Sequence, residues 1–143
     1  MLRLDDTKAR VLVIDASAHM RRLVITLMTA VGVRFCEEAR TTIQAATMIL
    51  KNLPDLIVID LSGDATEALL FVHRLRRGEF GDRHTPVLGI SSSGHHAMLE
   101  LAWESGVDEM IGKPISAIEV IQRAGALLAE SARRGGAARS AAE

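Results

Sequence analysis

The stretch Pro54-Asp55-Leu56-Ile57-Val58-Ile59-Asp60-Leu61 constrains this chain more than any other. An apolar run this short, rich in Ile and Val and opened by a proline, reads as a strand buried on both faces of a parallel sheet. Asp60 then stands at the strand's carboxyl end, where open α/β sheets hold their ligand crevices. Aspartate also suits a turn or a helix cap, so this residue alone carries no function. Val11-Leu12-Val13-Ile14-Asp15 repeats the pattern, and two parallel strands of this kind bring Asp15 and Asp60 to one edge.

Between and beyond these runs the pattern alternates. Met20, Leu23, Val24, Leu27, Met28 and Val31 recur at helical spacing, and Gly32 supplies a stop. A short strand follows over 33–39, then a helix capped by Thr41 or Thr42 with Ile43, Ala46 and Leu50 inward. After Asp60, the loop 61–65 leads to a helix through Leu75 and Arg76, ended by Gly78 and Gly81. Thr85 to Ser91 reads as the fourth strand, about 95–105 as a helix, and Val107 to Ile111 as a fifth strand. The last helix is predicted from about Ser116 to Arg133, with Ile118, Val120, Ile121, Ala124, Leu127 and Leu128 inward and Gly135-Gly136 as its stop.

Five strand-helix alternations and the right-handed crossover rule put helices on both faces of a parallel sheet. The predicted fold class is α/β, a three-layer sandwich of one five-stranded parallel sheet flanked by five helices. Residues 1–9 form a lead-in, 10–133 the domain, and 134–143 a flexible tail of Arg, Ala and Gly.

Composition narrows the function classes. The 143 residues carry a formal net charge of -1 and only 3% aromatics, which argues against a nucleic-acid-binding surface over the whole chain. No apolar run approaches the roughly 18 residues of a membrane span. One cysteine, Cys36, permits no internal disulfide and fits a reducing cytoplasm.

Four strand ends carry useful side chains: Asp15 after the first, Asp60 after the third, Ser91 after the fourth and Lys113 after the fifth. The set suits reversible phosphoryl transfer to Asp60. A carboxylate can attack a phosphate donor, a hydroxyl can bond a phosphoryl oxygen, and an ammonium can neutralise charge. Magnesium would shield the approaching anions.

With these residues in order, the chain resembles the response-regulator receiver family, the CheY-like domains of two-component signalling. The resemblance covers about 10–129. It rests on Val11-Leu12-Val13-Ile14-Asp15 with Met20-Arg21, Glu37-Glu38-Ala39, Pro54 through Asp60, Thr85-Pro86-Val87 through Ser91, Gly106-Val107-Asp108 and Lys113-Pro114. It implies a flavodoxin-like fold, Asp60 as phosphoacceptor, Asp15 in an acidic metal pocket with the Ser62 carbonyl, Ser91 as the hydroxyl switch and Lys113 as the phosphoryl partner. It also implies a cis Lys113-Pro114 bond.

The departures bear on the chemistry. Ala16 stands where the family has a second acid, 63–68 replaces its usual loop after the phosphoacceptor, and Met110 replaces its switch aromatic. Two unit charges ~4 Å apart interact by about 4 kcal/mol at an effective dielectric near 20. Even a quarter of that makes Mg²⁺ roughly fivefold weaker. Asp64 and Glu67 are candidates to compensate, or simply acids at a helix start.

Two further surfaces stand out. Leu99 and Trp103 share a helical face that Met110 extends, a candidate partner interface or part of the core. Arg133, Arg134 and Arg139 form a C-terminal arginine cluster, either a solvated helix end or a site resembling the arginine-rich extensions by which some CheY-like proteins bind cyclic di-GMP.

The leading expectation is a non-enzymatic, single-domain, cytoplasmic regulator. It would work in a two-component or chemotaxis-type phosphorelay by contact with a histidine kinase, a phosphotransfer protein or a motor or output protein. It would carry no membrane span and no DNA-binding domain. The alternative is a pseudo-receiver that binds cyclic di-GMP and docks on a flagellar motor or kinase. A hydrolase using Asp60 as covalent nucleophile ranks last, because no separate general base is evident.

Overall fold

A computed structural model describes residues 8–92 and 96–142, with side chains over 8–92 and 97–134. The elements alternate without exception: β1 Arg10–Ile14, α1 Ala18–Ala30, β2 Phe35–Ala39, α2 Thr42–Lys51, β3 Leu56–Asp60, α3 Thr66–Arg76, β4 Val87–Ser91, α4 His96–Ser105, β5 Glu109–Gly112 and α5 Ala117–Ala142. All strand pairs are parallel, in the order β2-β1-β3-β4-β5. The predicted α/β sandwich is therefore present, with the strand order of flavodoxin-like folds.

Period-two alternation divides the central strands between two cores. Leu12, Ile14, Ile57 and Ile59 join Ala45 and Ile49 of α2, Phe71, Val72 and Leu75 of α3, and Ala102 of α4. Val11, Val13, Leu56 and Val58 point the other way, onto Val24 and Met28 of α1 and Val120, Ala124, Leu127 and Leu128 of α5. Each large side chain so buried is worth about 1.5–3 kcal/mol of transfer free energy.

Local chemistry sets the helix starts. The Ser17 hydroxyl accepts from the Met20 amide and caps α1. Thr41 accepts from the Gln44 amide and caps α2, while Gln44 reaches back to the Arg40 amide. This reciprocal pairing resembles a capping box.

Three expectations change. In α2 the inward residues are Ala45 and Ile49, whereas Ile43 and Leu50 are 81% and 72% exposed. Leu23 and Ile118 also face outward, and α1 buries Arg21 instead. Finally, α5 continues through Gly135-Gly136 to Ala142, so 134–142 extends the helix. A glycine inside a helix costs about 1 kcal/mol relative to Ala, which opposes the helix without ending it.

Away from the acidic edge, Arg76 ties the amino ends of β4 and β5 to α3. Its guanidinium donates to the carbonyls of Gly106 at 3.0 Å, Arg83 at 2.9 Å and Thr85 at 2.6 Å, and to Asp108 Oδ2 at 2.7 Å. Asp108 Oδ2 also accepts from the Val87 amide. Gly106 has φ +107°, and a Cβ there would lie 2.6 Å from Arg76 Cγ. Glycine is thus required both by its backbone and by the arginine stem.

Removing Arg76 leaves three carbonyls without their side-chain donor and Asp108 with the Val87 amide but no cation. Arg76→Ala is expected to lose about 2–3 kcal/mol of stability in urea melts. Arg76→Lys should recover only part, because a point cation cannot span the same acceptors. An Arg76→Ala protein melting like wild type would contradict this role.

Candidate functional site

Strand register builds the acidic edge. Ile14 pairs with Ile59, so the residues after them, Asp15 and Asp60, emerge side by side. Asp60 pairs with Ile90 and Ser91 pairs with Gly112, which brings Ser91 and then Lys113 to the same edge. All four sequence-predicted residues therefore lie at the carboxyl end of one sheet. Because neighbouring strands run about 4.8 Å apart, groups on adjacent ends interact directly.

Asp60 is half-buried, and two donors meet its Oδ1: the Ser62 amide at 3.0 Å and Lys113 Nζ at 3.3 Å. Oδ2 has no hydrogen bond among the described residues. The Lys113 amide donates to the Ser91 carbonyl at 3.0 Å, and the Lys113-Pro114 bond is cis, as the resemblance implies. Ser91 is buried, and the Ser62 hydroxyl accepts from the Ser92 amide.

Asp15 is buried, and its Oδ1 accepts from the Ser17 amide at 2.8 Å. Burial pushes its carboxyl above the ordinary range, and the Asp60 charge pushes the same way; the Ser17 amide, Lys113 and Arg21 oppose them without cancelling them. Arg21 escaped the sequence reading as a structural group. It donates through its Nη1 to the Asp15 carbonyl at 2.6 Å and through Nε to Glu38 at 2.8 Å. Its structural role could have been read from position: Arg21, Val24 and Met28 fall on one buried helical face.

A cleft of about 310 Å³ opens over this edge, lined among others by Asp15, Ala16, Arg40, Asp60, Asp64 and Glu67. Arg40 is a second group that the sequence reading did not single out. Asp64 does not serve the Asp60 carboxylate. Its Oδ1 accepts from the Thr66 amide at 3.0 Å and hydroxyl at 2.7 Å, bonds that hold its carboxyl below the usual range. Among the described residues no three His, Cys, Asp or Glu side chains converge to hold a metal ion.

The other candidates lie elsewhere. Trp103 is 47% exposed on α4, while Leu99 is half-buried and Met110 packs partly against the core beneath α4. Arg133 and Arg134 are exposed on α5. Arg134 lines a separate cavity of about 340 Å³ with Pro54, Asp55, Asp82 and Thr85, at the amino ends of β3 and β4. That is the sheet edge opposite Asp60, and its two carboxylates disfavour a phosphate-bearing ligand. The Arg139 side chain lies outside the described residues. No helix among the described residues is long and apolar enough to cross a membrane.

Comparison with known proteins bears on the family and the fold. The family profile described as the response regulator receiver domain matches residues 11–125. The chain is 30% identical over 118 residues to the phosphate regulon transcriptional regulatory protein PhoB of Pseudomonas aeruginosa, covering 82% of this chain and 51% of that protein. It is 23% identical over 113 residues to the chemotaxis protein CheY of Bacillus subtilis, covering 79% of this chain and 92% of that one. The chain spans about half the length of the transcriptional regulators it matches. Among solved structures, the Francisella response regulator 1452 receiver domain superposes with a TM-score of 0.76 at 25% identity, covering 87% of this chain and 99% of that one. Matched over most of its length and superposable on a solved receiver, this chain belongs to the response regulator receiver domain family.

Proposed function

We propose that this receiver accepts a phosphoryl group on Asp60 and transmits its state by contact with another protein. Receiver domains are signalling modules of two-component and chemotaxis systems that interact with histidine kinases and output proteins. One observation carries the assignment of Asp60: both donors sit on Oδ1, leaving Oδ2 as a nucleophile in an open cleft.

The step balances with a phosphohistidine or acyl phosphate as donor. An Oδ2 lone pair forms a bond to phosphorus, the donor's P–N or P–O bond breaks, and its electron pair leaves with the imidazole or carboxylate. Lys113 stays beside the new acyl phosphate and offsets its charge. Ser91, at the neighbouring strand end, supplies a hydroxyl for a phosphoryl oxygen.

Mg²⁺ fits this donor set, though with few protein ligands. Burial chiefly, and the neighbouring Asp60 charge to a lesser degree, raise the Asp15 carboxyl, so two carboxylates of adjacent strand ends stand where a cation would favour both charged forms. Asp15, Asp60 and the Ser62 carbonyl would hold the ion, with water where Ala16 supplies no oxygen. When bound, the ion supplies charge neutralisation for the incoming phosphoryl oxygens. The kinase or phosphotransfer protein that loads Asp60 and the output protein that reads it are the proposed partners. The exposed face at Trp103, flanked by Leu99 and Met110, is the proposed contact. The cyclic di-GMP alternative gains no support from the position of Arg134.

Incubation with acetyl phosphate and Mg²⁺ should add the mass of one phosphoryl group to wild type and none to Asp60→Asn. A mass gain that survives Asp60→Asn, or none in wild type, rejects the proposal. The Asp15 carboxyl makes a separate prediction. Its pKa is raised on folding, so its contribution to stability is fully present below the ordinary value near 3.8 and lost as pH rises through the raised value. Asp15→Asn should therefore melt higher than wild type at neutral pH, with the difference shrinking as pH falls below about 4. Equal melting temperatures at neutral pH would contradict it.

A further inference from the structure

The outer face of α2 and α3 carries the groups that the two cores leave out. Between these helices runs a groove of about 400 Å³ whose floor includes Phe71 and Phe80. Ile43 on α2 is 81% exposed and Leu70 on α3 is 54% exposed, both on the groove wall. Leu50, seven residues after Ile43 and so on the same side of α2, is 72% exposed. Large aliphatic side chains this exposed and this close together form a patch that a lone domain leaves wet.

The charges flanking the patch have a specific arrangement. Glu67 and Arg74 both line the groove and stand seven residues apart on α3, with Leu70 between them. Two helical turns separate them by about 10.5 Å, too far to pair with each other. Glu67 makes no ion pair among the described residues. Arg74 binds Glu79 through Nε at 3.1 Å, which leaves its two terminal nitrogens for a second carboxylate.

From this pattern we infer that the α2–α3 face is a homodimer interface, occupied by the same face of a second copy of this chain. In a two-fold interface each residue meets its counterpart across the axis, so a self-docking surface must be self-complementary. An axis near Leu70 and Phe71 with the two α3 helices antiparallel sets Glu67 of each copy against Arg74 of the other. Two identical ion pairs then flank a centre of Leu70 side chains, and Ile43 of each α2 closes the sides. A different partner would have to supply a base opposite Glu67 and an acid opposite Arg74 at this spacing, whereas a second copy supplies both.

Sedimentation velocity on the full chain, over a concentration series reaching about 1 mM, tests the inference. Wild type should shift from monomer towards dimer. Glu67→Arg and Arg74→Glu, each placing like charges at both ends of the interface, should weaken association at least tenfold. The double variant Glu67→Arg/Arg74→Glu restores opposite charges and should recover the dimer. Leu70→Asp should remain monomeric. Circular dichroism melts of each variant establish that it is folded. A wild type that stays monomeric throughout, a dimer indifferent to both single reversals, or a folded double variant that does not re-associate each overturns the inference.

Discussion

Asp15 and Asp60 emerge from adjacent strands because β1 and β3 are paired in parallel with Ile14 opposite Ile59. Burial of Asp15 opposes its ionisation first, and the Asp60 charge adds to it. Lys113 offsets it with one bond to Asp60, from a strand end two places across the sheet. The edge is thus held together by the sheet and not by its own electrostatics. The hydrophobic layers above and below β1 and β3 supply the free energy that keeps two carboxylates where water alone would separate them.

Two arginines fasten the loops at opposite edges. Arg21 closes α1 onto the carbonyl of Asp15 and reaches β2 through Glu38, so the first acidic residue is fixed by its backbone as well as by its side chain. Arg76 gathers three carbonyls and Asp108 beneath the sheet. A planar guanidinium with five donors suits both tasks, which require one group to satisfy several acceptors in fixed directions. The cleft over Asp60 lies on this frame, with the methyl group of Ala16 among its lining.

Local patterning revealed the strands because their buried runs are short, β-branched and bounded by Pro, Gly and Asp. It also revealed Asp15, Asp60, Ser91 and Lys113, because a parallel sheet sends all carboxyl ends to one edge. Helix α2 shows where such reading fails. Ile43, Ala45, Ala46, Met48, Ile49 and Leu50 surround it on nearly every side, so the 3.6-residue period admits more than one inward face. Packing over β1 buries Ala45 and Ile49, small and medium groups that allow close approach, and sends Ile43 and Leu50 outward. Arg21 was hidden for the opposite reason: a charged residue on an apolar face looks misplaced until its acceptors, one of them seventeen residues away, are known.

By itself, then, the sequence determined the alternation of strand and helix, and the sheet edge at which Asp15, Asp60, Ser91 and Lys113 gather. These follow from periodicity and from the chirality of parallel crossovers, which act over short stretches. The tertiary structure alone decided that both described donors to Asp60 meet Oδ1, that Asp64 is engaged by Thr66, and that Arg134 lies at the far edge. It also decided that α2 and α3 leave an apolar face flanked by Glu67 and Arg74. Each of these depends on distances between segments remote in the chain, which no local pattern encodes.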